Sequence, residues 1–126
     1  MQQGKKHLVE KHVTSGLIAV KFMLKKVPGF LLLDQIIKFR PVMSFTKKRM
    51  GRKFNSIPMP VKGRRQYILS LNYIVNYIKQ IAHRDLDKRI FLGLSELCTT
   101  KKNALTRKVA EDVKHLSDSR IYAHLR

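Results

Sequence analysis

Residues 42–61 show the pattern that most restricts how this chain can fold. Apolar side chains occupy alternate positions on both sides of Gly51, at Met43, Phe45, Ile57, Met59 and Val61. Alternation with a period of two predicts two short strands joined by a turn. Pro58 and Pro60 lack the backbone N–H that a central strand needs, so the second strand must have an open edge. We therefore predict a two-stranded β-ribbon that projects from the rest of the protein.

Outside the ribbon, apolar residues recur at the spacing of amphipathic helices. The predicted helices cover about residues 5–26, 30–39, 65–82, 87–98 and 108–124. Pro28-Gly29 separates the first two helices, and the polar, basic stretch 99–108 links the last two. The predicted fold is mainly α, a bundle of about five helices with one projecting ribbon. A chain of 126 residues suits a single domain, residues 1–126.

The charge of the chain is strongly unbalanced. It has 27 Lys and Arg against 8 Asp and Glu, a formal charge of +19, and no acidic residue between Asp34 and Asp85. Self-repulsion of this size destabilises a free fold and speeds association with phosphate-rich partners. The charge therefore predicts a nucleic-acid partner, and an anionic membrane surface or an acidic protein are the alternatives.

The densest charge lies at residues 45–54, which hold five cations and no acid. Like charges that face each other destabilise a two-stranded ribbon, so we expect phosphate groups to neutralise this tip. Tyr67, Tyr73 and Tyr77 could stack on bases or pack inside the bundle, and the sequence leaves both open. The predicted RNA-binding residues are Lys5, Lys6, Arg40, Lys47, Lys48, Arg49, Arg52, Lys53, Lys62, Arg64, Arg65, Lys101, Lys102, Arg107 and Lys108.

Catalytic patterns are absent from the sequence. Residues 83–86, His-Arg-Asp-Leu, match the start of a kinase catalytic loop, but Ile90 stands where that loop needs asparagine. Cys98 is the one cysteine, and no histidine is spaced for metal ligation or nucleophilic catalysis. Glu111 and Asp112 are adjacent and so point to different sides of a helix. We expect no enzymatic activity, no cofactor, no metal and, without a run of about 18 apolar residues, no membrane span.

The string RPVMSFTKKRMGRKFNSIPMPVKGRRQYILSLNYIVNYI, residues 40–78, resembles the family of small-subunit ribosomal protein seven. That family has an Arg-Pro, a strand, a basic turn with glycine, a second strand and an Arg-Arg before a long helix. The matching parts here are Arg40-Pro41, Arg49 to Arg52, Ile57 to Val61 and Arg64-Arg65. Similar segments at residues 4–6, 87–88 and 107–126 extend the resemblance over essentially the whole chain.

The resemblance implies a helical bundle with a projecting ribbon. It also implies a primary rRNA-binding protein that organises the head of the small subunit, with the ribbon near exit-site tRNA and the mRNA exit. Neighbouring head and platform proteins are the implied protein partners. The family's basic N-terminal arm and first helix have no counterpart here, and its glycine pair at the tip is Gly51-Arg52. Together with many Ile, Phe and Lys residues, this favours a mitochondrial ribosome over a bacterial or plastid one.

Two other functions compete with this interpretation. A DNA-bending architectural protein also joins a helical body to basic β-arms, but its arm tip holds an apolar wedge such as proline. Here the tip is Met50-Gly51, and the prolines lie along the second strand. A helix at residues 5–26 lying on a membrane surface is the other alternative, and Glu10 with the polar Thr14 argues against it.

Overall fold

A computed structural model describes residues 3–100 and 102–125. The described residues form five α-helices, one antiparallel pair of strands and a 3-10 helix. In chain order they are α1 (Lys6–Leu24), α2 (Pro28–Lys38), β1 (Met43–Met50), β2 (Lys53–Pro60), α3 (Gly63–Gln80), α4 (Leu86–Thr99), α5 (Ala104–Asp118) and the 3-10 helix (Ser119–Leu125). The predicted fold, a mainly α bundle with one two-stranded ribbon, is confirmed.

Helix α1 packs mainly against α4. Val20, which is 1% exposed, forms an apolar cluster with Ile90 and Leu94 of α4. Gly16 permits the close approach of the two helices, because a Cβ atom there would lie 3.0 Å from the Ile90 Cβ and 3.1 Å from the Asp87 carbonyl oxygen. The amphipathic stripe predicted for the first helix therefore buries its apolar side against the fourth helix.

A second apolar cluster joins α2, α3, α4 and α5. Its buried members are Ile36, Phe39, Ile74, Tyr77, Leu97 and Leu105. The Ser70 hydroxyl donates a hydrogen bond of 2.7 Å to the Ile36 carbonyl oxygen, which ties α3 to α2 inside the core. Leu32 and Ile78 pack against both clusters, so the two clusters adjoin.

Two helices begin earlier than the sequence pattern indicates. Helix α2 includes Pro28 and Gly29, which we expected to lie in the break before it. Proline suits the first turn of a helix because the missing N–H has no intrahelical partner there. Helix α3 begins at Gly63 instead of about residue 65, so Arg64 and Arg65 belong to its first turn.

The largest difference concerns α5, which begins at Ala104 and not at about residue 108. The Asn103 backbone N–H donates to the Thr106 hydroxyl at 2.8 Å, and the Asn103 side-chain amide donates to the Glu96 carbonyl at 3.2 Å. The Thr106 hydroxyl thereby satisfies a backbone donor at the start of α5, and the Asn103 amide satisfies a backbone carbonyl at the end of α4. The α-helix ends at Asp118, and the 3-10 helix continues where a single helix to residue 124 was expected.

The ribbon has the open edge that its prolines require. The Val61 N–H donates to the Val42 carbonyl at 3.0 Å, and the register places Phe45 opposite Pro58. Val42 and Val61 therefore form a hydrogen-bonded pair, and such pairs alternate with non-hydrogen-bonded pairs along an antiparallel ladder. The pairs that contain Pro60 and Pro58 lie one and three positions further along, so both prolines occupy non-hydrogen-bonded positions. Their ring nitrogens therefore face away from β1, and no ladder hydrogen bond is lost.

Candidate nucleic-acid interface

Five cations surround the tip of the ribbon, and all five side chains are exposed. They are Lys47, Lys48, Arg49, Arg52 and Lys53. Gly51 has a φ of +63°, the left-handed conformation that favours glycine in a two-residue hairpin turn. The Arg49 Nε donates to the Gly51 carbonyl at 3.1 Å, across the turn. The sequence-predicted tip is thus a compact, exposed cluster of positive charge.

The register of the ribbon limits the repulsion among these cations. Lys47 lies opposite Ser56, Lys48 opposite Asn55, Arg49 opposite Phe54, and Lys53 opposite Met50. No strand cation of the tip directly faces another across the ladder, so the direct like-charge pairs that we expected do not occur. Side chains of cross-strand partners lie on the same face of the ribbon, and successive side chains along a strand lie on opposite faces. Lys47 and Arg49 therefore lie on one face, and Lys48 and Lys53 lie on the other. The tip can therefore contact phosphates on both sides.

The base of the ribbon is anchored to the body. Ile57 is 2% exposed and Pro58 is buried, and the 3-10 helix packs on β2. On β1, the Phe45 ring meets the His115 imidazole of α5 edge-on, with centroids 4.8 Å apart. From Pro60 to Lys53 the strand advances about 24 Å at about 3.4 Å per residue, so the tip lies far from its anchor.

A second group of cations lies beside the base of the ribbon. Lys62, Arg64 and Arg65 are exposed at the start of α3, whose first turn contains no acidic residue. Helix N-termini have a partial positive charge, so cations there raise the local potential and favour an anion.

The exposed Arg40 contacts Tyr67 of α3. Its Nη1 donates to the Tyr67 hydroxyl at 3.2 Å, and its Cζ lies 5.5 Å from the centroid of the Tyr67 ring.

A third group of cations lies at the start of α5. Lys102, Arg107 and Lys108 are exposed there, and the first turn of α5 also lacks acidic residues. Arg107 and Lys108 are on the helix and not in a connecting loop, which fixes their spacing. The prediction for Lys101 lies outside the described residues.

Lys5 and Lys6 are exposed at the start of α1. The Lys6 Nζ lies 3.7 Å from the Glu10 carboxylate, and both side chains are more than half exposed. An ion pair this exposed contributes little to stability and leaves Lys6 available to a partner. Lys5 and Lys6 remain predicted contacts.

The three tyrosines considered for base stacking have different environments. Tyr77 is 7% exposed in the core, where burial and the nearby Glu96 raise its pKa. Tyr73 is half-buried and donates to the Asp112 carboxylate at 3.2 Å. Tyr67 is exposed beneath Arg40. Tyr77 therefore packs in the core, and only Tyr67 and Tyr73 face surfaces that a base could reach.

The described residues contain no group of three or more His, Cys, Asp and Glu side chains that could hold a metal ion. No helix in the described part of the chain combines the length and apolar composition that crossing a bilayer requires.

Comparison with known proteins identifies the family. The family described as "Ribosomal protein S7p/S5e" matches residues 1–118. This chain belongs to that family. Similar proteins named "Small ribosomal subunit protein uS7" include those of Pelagibacter ubique, 25% identical, and Thermus thermophilus, 28% identical. Each match covers 100% of this chain and 80% of the relative. The resemblance found at residues 40–78 is thereby confirmed over most of the chain.

Proposed function

We propose that this chain is a structural component of the small ribosomal subunit that binds small-subunit rRNA. The observation that supports this most directly is the ribbon tip, where five exposed cations meet no acidic residue across the ladder. The chain acts as one domain in which the bundle holds three cationic surfaces: the tip, the start of α3 and the start of α5. Membership of a ribosomal protein family agrees with the RNA partner that the charge predicts.

Binding rests on release of counterions from phosphate. Each Lys or Arg that contacts a phosphate of single-stranded RNA adds about 0.7 to the slope of log affinity against log salt. If about eight of the cations contact phosphate, affinity falls by about 10³ over a fourfold rise in salt. Phosphate contacts position a protein but do not specify a sequence, so the relative placement of the three surfaces selects the rRNA shape.

We also propose finer assignments, which the family resemblance supports. In this proposal the ribbon tip lies near exit-site tRNA and the mRNA exit, and the body organises the head. Neighbouring small-subunit proteins are further partners, and the outer face of α2 supports this, since Phe30, Leu33 and Ile37 there are 73%, 52% and 60% exposed. Exposed apolar patches of this kind mark contacts with other proteins. The composition favours a mitochondrial ribosome.

The first test is a competition between RNA and DNA. The purified chain is offered a transcript of the small-subunit rRNA head domain and duplex DNA of equal length across a salt series. A preference for the rRNA that persists at high salt supports the proposed function. Equal binding that falls together for both nucleic acids would contradict it and would favour a general polyanion binder or the DNA-bending alternative.

The surface at the start of α5 has its own test. Replacing Lys101, Lys102, Arg107 and Lys108 by glutamine should weaken rRNA binding and reduce the salt slope by up to about 3. A matched control replaces four exposed cations outside the predicted set, Lys11, Lys21, Lys79 and Arg84. An unchanged affinity and slope in the first variant would remove this surface from the interface.

A further inference from the structure

A groove of about 490 Å³ lies between β1 and α5. It is lined by aromatic and aliphatic side chains, by one carboxylate and by two cations that precede β1 in the chain. The residues that matter here are Lys38, Arg40, Phe45, Tyr73, Asp112 and Val113. An apolar groove with a few converging polar groups is the usual form of a small-ligand site.

The carboxylate in the groove has unused capacity to accept hydrogen bonds. Asp112 is half-buried, and its Oδ2 accepts from the Tyr73 hydroxyl at 3.2 Å. A carboxylate offers about four acceptor positions on its two oxygens. Burial and the Asp112 charge both raise the pKa of Tyr73, so Tyr73 remains a neutral hydrogen-bond donor to the carboxylate. A partly desolvated carboxylate of this kind favours a ligand that presents N–H donors.

The remaining walls suit a planar ring attached to a phosphate. Phe45 lines the groove, and its ring is held by an edge-on contact with His115. Arg40 donates a hydrogen bond to the Tyr67 hydroxyl, and its guanidinium lies over the Tyr67 ring. Lys38, whose ammonium lies 5.4 Å from the Phe39 ring centroid, also lines the groove. Stacking on aromatic rings together with cations on the backbone is how proteins hold unpaired bases. A basic peptide also has donors for Asp112, but Arg40 and Lys38 would repel it.

We propose that this groove binds an unpaired guanine of the RNA. The base stacks against Phe45, the guanine N1–H and N2–H donate to the two oxygens of Asp112, and Arg40 and Lys38 contact the adjacent phosphate. Guanine is the base whose pairing edge presents two adjacent donors that match the two carboxylate oxygens. The proposal rests on the proposed RNA-binding function and adds a sequence preference to contacts that otherwise read only shape.

The test uses the full chain and short single-stranded oligouridines. One probe has a central guanosine, one has inosine, which lacks the N2 amino group, and one has uridine only. We expect the guanosine probe to bind about tenfold more tightly than the uridine probe, with inosine between them. Equal affinity for the three probes would overturn the guanine site while leaving the proposed function intact. Failure of all probes and of rRNA to bind would instead contradict the proposed function.

Two variants separate base recognition from a general charge effect at Asp112. Asp112→Asn keeps an acceptor for Tyr73 but loses the second acceptor, so the preference for guanosine over inosine should disappear. Glu111→Gln removes the same charge from the adjacent, exposed residue and should keep the preference. Loss of the preference in Glu111→Gln to the same extent as in Asp112→Asn would show a general charge effect and overturn the proposal.

Discussion

The ribbon tip should account for a separable part of the salt dependence of RNA binding. The variant for this prediction replaces its five cations, Lys47, Lys48, Arg49, Arg52 and Lys53, by glutamine. The fold should survive, because the contacts that hold the ribbon lie at its base, at Ile57, Pro58 and Phe45. Removing like charges from an exposed turn also reduces self-repulsion, so the free energy of unfolding should not fall.

The expected magnitude follows from the number of exposed cations at the tip. If all five contact phosphate, the salt slope falls by about 3.5, at about 0.7 for each contact. Over a fourfold rise in salt, those contacts account for a loss in affinity of about 10². The variant should therefore bind rRNA more weakly at low salt, and its affinity should approach that of the unmodified chain as salt increases.

The assay is fluorescence anisotropy with a labelled rRNA head-domain transcript at several salt concentrations. The matched control replaces five exposed cations elsewhere, Lys11, Lys21, Lys79, Arg84 and Lys114, so that both variants lose the same formal charge. If the slope of log affinity against log salt falls equally in both variants, RNA binding depends only on the net charge of the chain. That result would refute the argument that the tip makes localised phosphate contacts.

Three further predictions concern stability and can be measured by urea or thermal unfolding. Gly16→Ala should destabilise the fold by about 1 kcal/mol because its Cβ would overlap Ile90, whereas Gly29→Ala, with no atom within 4 Å of the new Cβ, should stabilise it by about 0.5 kcal/mol. Equal effects at the two glycines would contradict the packing argument. Asn103→Ala should cost about 1 kcal/mol because the hydrogen bond from its side-chain amide to the Glu96 carbonyl at the end of α4 is lost, and an unchanged midpoint would show that this contact is dispensable. Burial raises the pKa of Tyr77 above its unfolded value, so the stability it contributes is complete below about pH 10 and falls at higher pH. The stability difference between the unmodified chain and Tyr77→Phe should therefore shrink above that pH, and a constant difference would contradict the shift.

The ribbon could be predicted from sequence because its signals are local. Alternation on both sides of Gly51 indicated the strands, and Pro58 and Pro60 indicated the open edge, as the ladder confirms. The register could not be predicted with the same certainty, since a slip of one residue changes every cross-strand partner. The repulsion at the tip is therefore smaller than the sequence suggests, because Lys47 and Arg49 lie opposite neutral side chains.

The start of α5 was missed because its stabilising contacts are not visible in composition. Residues 99–108 are polar and basic, which is typical of a loop. The Asn103 cap depends partly on the Glu96 carbonyl at the end of α4, a contact that exists only after the chain has folded. The signal that could have located this start was the local pair Asn103 and Thr106, which is the spacing of a capping residue and its N3 partner.

The groove between β1 and α5 could not be predicted, because it joins residues far apart in the chain. In the sequence, Asp112 was notable only as the neighbour of Glu111, and that pair was considered for acid–base chemistry. The structure instead pairs it with Tyr73, 39 residues away, and places both beside Phe45. Helical periodicity placed Tyr73 and Tyr77 on a helix but could not tell which of them reached the surface.

The last prediction tests whether the bundle holds its cationic surfaces rigidly. The tip lies about 24 Å from the base of the ribbon, beyond the Debye length of about 10 Å at 0.1 M salt. Arg64→Gln with Arg65→Gln should lower the salt slope by about 1.4, and combining them with the five tip substitutions should lower it by about 5. Additive slopes and additive binding free energies are expected, because distant sites on a rigid body act independently. A combined loss clearly smaller than the sum would show that the two surfaces bind RNA as one coupled unit, and the bundle could then not be a rigid carrier of independent contacts.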